Sequence, residues 1–99
     1  MGKYLAFDLG AESGRAMLGT LDNNKKLQIQ QLHRFPNGMI NVRGVLHWDV
    51  LGMYREMLTG ITVAVAQKTG KIDGIGFDTW GVDFGLFDRN GFLIGDPVA

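Results

Sequence analysis

At 99 residues the chain suffices for one small domain, and its 45% apolar content provides a packed core, which excludes a disordered segment. Ten basic and ten acidic residues cancel without forming a basic run, so neither nucleic acid nor an anionic membrane is an expected partner. The lack of cysteine excludes a disulfide scaffold and a cysteine metal site; with no signal-peptide pattern and no apolar run of membrane-spanning length, a cytoplasmic protein is expected.

Tyr4 to Phe7 is an apolar run too short for a helix and predicts a buried strand ending in Asp8. A turn with two glycines leads into a return strand from Arg15 to Leu21, which makes the first element a hairpin. Its tip carries Asp8, Ser13 and Arg15. Successive N–H groups of such a turn can converge on one anion, and an acid at a strand end can hold a hydrated Mg2+ over the same phosphates. Taken alone, an Asp-x-Gly of this kind reads as an ordinary hairpin with a solvated acid.

Asp22 to Lys26 is a polar turn, and Leu27 to Leu32 predicts a third strand that continues to Phe35, before Pro36. Pro36-Asn37-Gly38 has turn chemistry. Gly38 and Gly44 bracket an expected loop, with a short strand over Val45 to Trp48. Asp49 is placed to cap a helix running to about Lys68, with Val50, Tyr54, Met57 or Leu58, Ile61 and Val65 on its apolar face. Gly52 and Gly60 each weaken that helix by about 1 kcal/mol relative to alanine, so packing must carry it.

Gly70 is a natural stop. Ile72 to Phe77 predicts a fourth strand, buried on both faces and parallel to the first across the helical crossover. Asp88-Arg89-Asn90-Gly91 predicts a second hairpin between Val82–Phe87 and Phe92–Ile94. His33 and His47 have no partner at metal-site spacing and are expected to be structural. Pattern alone supports an α/β fold.

Asp8-Leu9-Gly10-Ala11-Glu12-Ser13-Gly14-Arg15 resembles the first phosphate-binding hairpin of the actin-like ATPase superfamily, and most nearly that of the FGGY carbohydrate kinases. Phe77-Asp78-Thr79-Trp80-Gly81-Val82-Asp83-Phe84 is similar to the segment that marks the members acting on L-rhamnulose. His33-Arg34-Phe35-Pro36-Asn37-Gly38 and His47-Trp48-Asp49-Val50 fit the same pattern, in order and at similar spacing. The resemblance covers the chain from about residue 4 to residue 99. It implies a ribonuclease H-like (actin-like ATPase) fold, of which βββαβ with an additional hairpin is the N-terminal portion. Residues 1–99 are then expected to be the N-terminal part of the first kinase domain, with the second domain outside the chain.

The resemblance further implies transfer of the γ-phosphoryl group of ATP, with Mg2+, to the 1-hydroxyl of L-rhamnulose. Ala11, Glu12, Ser13, Gly14 and Arg15 match the family's ATP-binding turn. Glu12 stands where the family carries a small hydroxyl residue, which leaves backbone contact as the expectation there. Asp8 would accept hydrogen bonds from Mg2+-bound water, and Asp78 is expected to be structural. Gly81, through its backbone, is the expected sugar contact. Trp80 would offer an apolar face or simply fill core, and Asp83 would hydrogen-bond sugar hydroxyls or act as a hairpin acid. The family's catalytic base is an aspartate of the second domain, so no residue here is expected to be the base and the chain alone is expected to be inactive. The remaining readings are a kinase for fuculose or xylulose, a non-kinase actin-like nucleotide-binding module, and a piece that merely folds or self-associates.

Overall fold

The computed structural model describes residues 2–99. Three strands form a meander: β1 (Gly2–Leu9), β2 (Ser13–Leu21) and β3 (Leu27–Pro36), each antiparallel to the last. A short hairpin follows, β4 (Met39–Val42) and β5 (Val45–Trp48), then helix α1 (Val50–Ala66) and strand β6 (Gly74–Thr79). The main sheet has the order β3-β2-β1-β6, with β6 parallel to β1. The expected βββαβ order is therefore present. Asp73 sets the entry to β6: its backbone N–H donates to the Lys3 carbonyl at 2.7 Å, and its carboxylate accepts from the Lys3 N–H at 2.9 Å.

Helix α1 packs on one face of the sheet, against β2 and β3. That face buries Leu5, Phe7, Ala16, Leu18 and Phe35, and Phe7 is 2% exposed. Full burial of one such aromatic contributes about 2–3 kcal/mol. Gly60 sets the separation of the layers: a Cβ there would stand 2.6 Å from the Ala16 Cβ. A bulge in β3 between the partners of Ala16 and Met17 leaves Leu32 unpaired. Both His33 and Leu32 then reach the helix side: His33 lies 2.5 Å from a Glu56 carboxylate oxygen, and Leu32 packs on the cluster of Leu5, Leu18 and Ala64.

Four sequence expectations are corrected. Met39 to Val42 is a strand, paired with Val45–Trp48 across Arg43 and Gly44. Both turn residues have positive φ, the geometry that matches the twist of a two-residue hairpin. The helix faces the sheet with Gly60, Ala64 and the expected Ile61, which packs on the cluster of Leu5, Leu18 and Ala64, while Tyr54, Leu58 and Val65 are exposed; small residues win the tightest contact because they allow close approach. The helix also ends at Ala66, with Lys68 at φ 53, rather than reaching Lys68.

Strand β6 begins at Gly74 and sits at the sheet edge, so Ile75 and Phe77 are 51% and 64% exposed instead of covered on both sides. The second predicted hairpin is present in short form: the Asp88 N–H donates to the Phe92 carbonyl and the Ile94 N–H to the Leu86 carbonyl, each at 2.8 Å. Asp88 accepts the Gly91 N–H at 3.0 Å, and a single bridge joins Phe87 to Leu93. Residues 97–99 run beside β5, where the Trp48 N–H donates to the Pro97 carbonyl at 2.8 Å and the Ala99 N–H to the Leu46 carbonyl at 2.9 Å.

Candidate functional site

The turn between β1 and β2 is closed by one internal hydrogen bond, Gly10 N–H to the Ser13 carbonyl at 3.0 Å. It is also held from outside. The Asn37 amide donates to the Gly10 carbonyl at 2.8 Å, and the Asn37 N–H donates to the Glu12 carbonyl at 2.9 Å. Asn37 is 7% exposed, and both its bonds go to this turn, so it fixes the loop as a rigid cradle. Its place in Pro36-Asn37-Gly38 reads as plain turn chemistry in the sequence, which hides this role. Ala11 and Glu12 are exposed at the tip, and Ser13 is half-buried. Gly14 serves packing: a Cβ there would stand 2.1 Å from the Phe35 ring.

The register brings four charged residues into one row across the sheet. Asp78 on β6 pairs with Asp8 on β1, Asp8 with Arg15 on β2, and Arg15 with Arg34 on β3. Phe7 and Phe77, one position earlier, stack at 5.3 Å on the helix side. Side chains alternate, so the charged row lies on the opposite, open face. Only the middle pair is of opposite sign: Arg15 Nη2 stands 3.4 Å from Asp8 Oδ2, with side-chain exposures of 42% and 50%. A pair that open contributes less than about 1 kcal/mol. Like charges directly opposite destabilise a sheet, so the row suits ligands of both signs.

The fit to phosphate and metal can be tested on this geometry. Arg15 Nε is buried with no hydrogen-bond partner, a donor left over for an anion. Two strand-end carboxylates suit a hydrated Mg2+ held mainly by phosphate oxygens and water. No group of three His, Cys, Asp or Glu that could cage a metal by itself occurs among the described residues.

The second cluster follows β6. Leu9 pairs with Thr79, so the Gly10 turn and the Trp80 loop leave the sheet side by side at the carboxyl ends of parallel strands. Ligands of open α/β sheets bind there. In the Trp80 loop, Gly81 faces open space: a Cβ would meet nothing within 4 Å. Val82 is 97% exposed at φ 71, a backbone conformation that a β-branched residue adopts only under strain.

Asp83 is half-buried, and its Oδ2 accepts two hydrogen bonds, from Trp80 Nε1 and from Trp48 Nε1, each at 2.8 Å. The two indoles lie 4.4 Å apart at 48°. Beside them opens a cavity of about 190 Å3 walled by Val50, Met53, Phe84 and Pro97 as well as the two tryptophans. Trp48, absent from the residues singled out for chemistry, is the member that sequence reasoning missed. Its signal was the His47-Trp48-Asp49-Val50 match, which recorded the residue but not its partner. Asp49, next to it, caps α1 as expected, accepting the Gly52 N–H at 2.9 Å.

Three curated proteins are similar in sequence over nearly the whole chain. Rhamnulokinase of Bacteroides thetaiotaomicron is 42% identical over 97% of this chain, rhamnulokinase of Oceanobacillus iheyensis 43% over 96%, and rhamnulokinase of Enterococcus faecalis 42% over 97%. The chain spans 19%, 20% and 19% of their respective lengths. A solved structure of ligand-bound xylulose kinase from Lactobacillus acidophilus matches with a TM-score of 0.76 at 15% identity, covering 99% of this chain and 19% of that one. That likeness shows the fold, which is the actin-like ATPase fold. No family model matches the chain.

Proposed function

We propose that this chain, rhamnulokinase-like in sequence and actin-like in fold, is part of a protein that transfers the γ-phosphoryl group of ATP to the 1-hydroxyl of L-rhamnulose. The observation that carries the reading is the Leu9–Thr79 register. It sets a phosphate-suited turn beside an apolar, carboxylate-bearing pocket, and phosphoryl transfer needs donor and acceptor held together.

In this reading the backbone of Ala11, Glu12, Ser13 and Gly14 cradles the phosphates, with the Ser13 hydroxyl in support. Arg15 turns its spare Nε–H towards phosphate oxygen. Asp8, with Asp78 beside it, orders Mg2+-bound water. Mg2+ neutralises phosphate charge when bound. Gly81 offers the sugar open backbone, Trp80 gives it an apolar wall, and Asp83 accepts a hydrogen bond from a sugar hydroxyl. The base that deprotonates the attacking hydroxyl lies outside residues 1–99, so the chain alone has no kinase activity. The reaction belongs to the cytoplasm, where ATP is available.

The test is ADP release by the longest protein carrying this segment, measured with L-rhamnulose, L-fuculose and D-xylulose. Turnover highest with L-rhamnulose supports the assignment. Preference for either other ketose transfers it to another sugar kinase, and no turnover with any of them rejects the kinase reading.

A further inference from the structure

We infer that Trp48 is a positioning residue for sugar recognition, acting through Asp83. The inference rests on the reading that the Trp80–Asp83 loop meets the sugar. A carboxylate has two oxygens and about four acceptor directions. In this structure Oδ2 is occupied by two indole N–H groups from different elements, Trp48 at the end of β5 and Trp80 in the loop itself. No hydrogen bond to Oδ1 is found among the described residues. The carboxylate therefore cannot turn about its own axis without breaking two charge-assisted bonds, the stronger class of hydrogen bond. Oδ1 is left in a fixed direction as the one free acceptor.

The consequence is chemical selectivity. The cavity beside the clasp is about 190 Å3 and its walls are mostly apolar, with Val50, Met53, Phe84 and Pro97 next to the indoles. A ligand that fits has one hydroxyl to give to Oδ1 and a carbon-rich edge to lie against the wall. That describes a deoxysugar rather than a fully hydroxylated one, whose extra hydroxyl would lose its water without gaining a partner. Trp48 sits directly before the Asp49 cap of α1, and its backbone is bonded to Pro97, so the clasp is anchored in the scaffold rather than in the loop. A rigid second anchor is what a loop with a strained Val82 at its centre needs in order to hold one geometry.

The experiment compares Trp48→Phe and Asp83→Asn with the unaltered full-length protein. Phenylalanine keeps ring packing but removes the donor. Asparagine keeps the shape and can still accept from both indoles through its carbonyl, but presents a donor where Oδ1 stood. The expected result is a roughly tenfold or greater rise in the KM for L-rhamnulose in each variant. The expected kcat at saturating sugar and KM for ATP stay within about twofold. L-rhamnulose affinity is also measured without nucleotide by equilibrium dialysis, so that a protein inactive as a kinase still reports on the clasp.

Unchanged sugar KM and unchanged sugar affinity in either variant overturn the inference, as does parallel loss of sugar and ATP binding, which marks a merely structural cluster. If Trp48→Phe is not recovered as folded protein, Trp48→Leu, which also removes the indole donor, is read in its place. Turnover by the unaltered protein tests the kinase assignment separately, since it involves no variant.

Discussion

Asp8 and Asp78 stand opposite one another in register at the carboxyl ends of two parallel strands. Two like charges in that relation cost stability unless something answers them. The half-exposed Arg15 answers one side of Asp8 only. This arrangement sets the first prediction. In the full-length protein Asp8→Asn should lower kcat about a hundredfold, the scale on which a lost electrostatic contact to the transferring group is felt, with sugar KM within about twofold. Stability should move by less than about 1 kcal/mol, because the lost Arg15 pair and the relieved repulsion nearly offset. An unchanged kcat removes Asp8 from the phosphate site.

Gly81 leads to the second. Its position is open, so a side chain can be built there without disturbing the protein. Gly81→Val should therefore leave the melting temperature within a degree or two while raising sugar KM about tenfold, since the valine occupies the space beside the backbone. Steady-state kinetics with sugar and ATP varied separately decide it. A rise in the KM for ATP instead would show that the two sites are exchanged.

A third concerns the helix–sheet contact. Gly60→Ala gains about 1 kcal/mol of helix propensity. It also drives a methyl to within 2.6 Å of the Ala16 Cβ, and overpacking of that kind costs about 1–3 kcal/mol. The net expectation is a loss of about 1 kcal/mol in chemical unfolding. The double variant with Ala16→Gly should recover most of that loss. Additive effects of the two substitutions would show that the contact does not set the layer spacing.

The sheet edge supplies the fourth. Ile75 and Phe77 are exposed on β6, whose outer side has no partner strand among the described residues. Such an edge templates pairing between chains. The 99-residue chain alone should form dimers or larger species as concentration rises, and Ile75→Lys should shift it towards monomer. Sedimentation of the two proteins across a hundredfold concentration range measures this, and a monomer throughout for the unsubstituted chain would contradict it.

The first hairpin was legible because its logic is local: an apolar strand, a turn and a return strand lie within 18 residues of sequence, from Tyr4 to Leu21. The Asp49 cap was legible for the same reason. The helix face was not, since α1 carries apolar residues all round and its tightest contact is made by Gly60 and Ala64, which a hydrophobic pattern undervalues. The β4–β5 hairpin escaped because its turn is Arg43-Gly44, with arginine rather than asparagine or aspartate at the first positive φ. The joining of Trp48 to Asp83, 35 residues away, and of Asn37 to Gly10, 27 away, depends on tertiary placement that neither motif announces. Trp80 reads in the sequence as a ligand wall or core filler and Asp83 as a ligand contact or hairpin acid, not as partners of one another.

The parallel pairing of β1 with β6 also has a kinetic side. Lys3 and Asp73, which bond across it, are 70 residues apart, whereas the β1–β2–β3 meander closes through short turns. Chain entropy favours the short closures first, so the meander can form before β6 docks. Asp78 then reaches Asp8 only at the last step, and the repulsion between them falls on the unfolding side of the barrier. Removing it by Asp78→Asn should slow unfolding while leaving the folding rate nearly unchanged. The acid pair would thus be a constraint on how long the native state lasts, not on how quickly it is found.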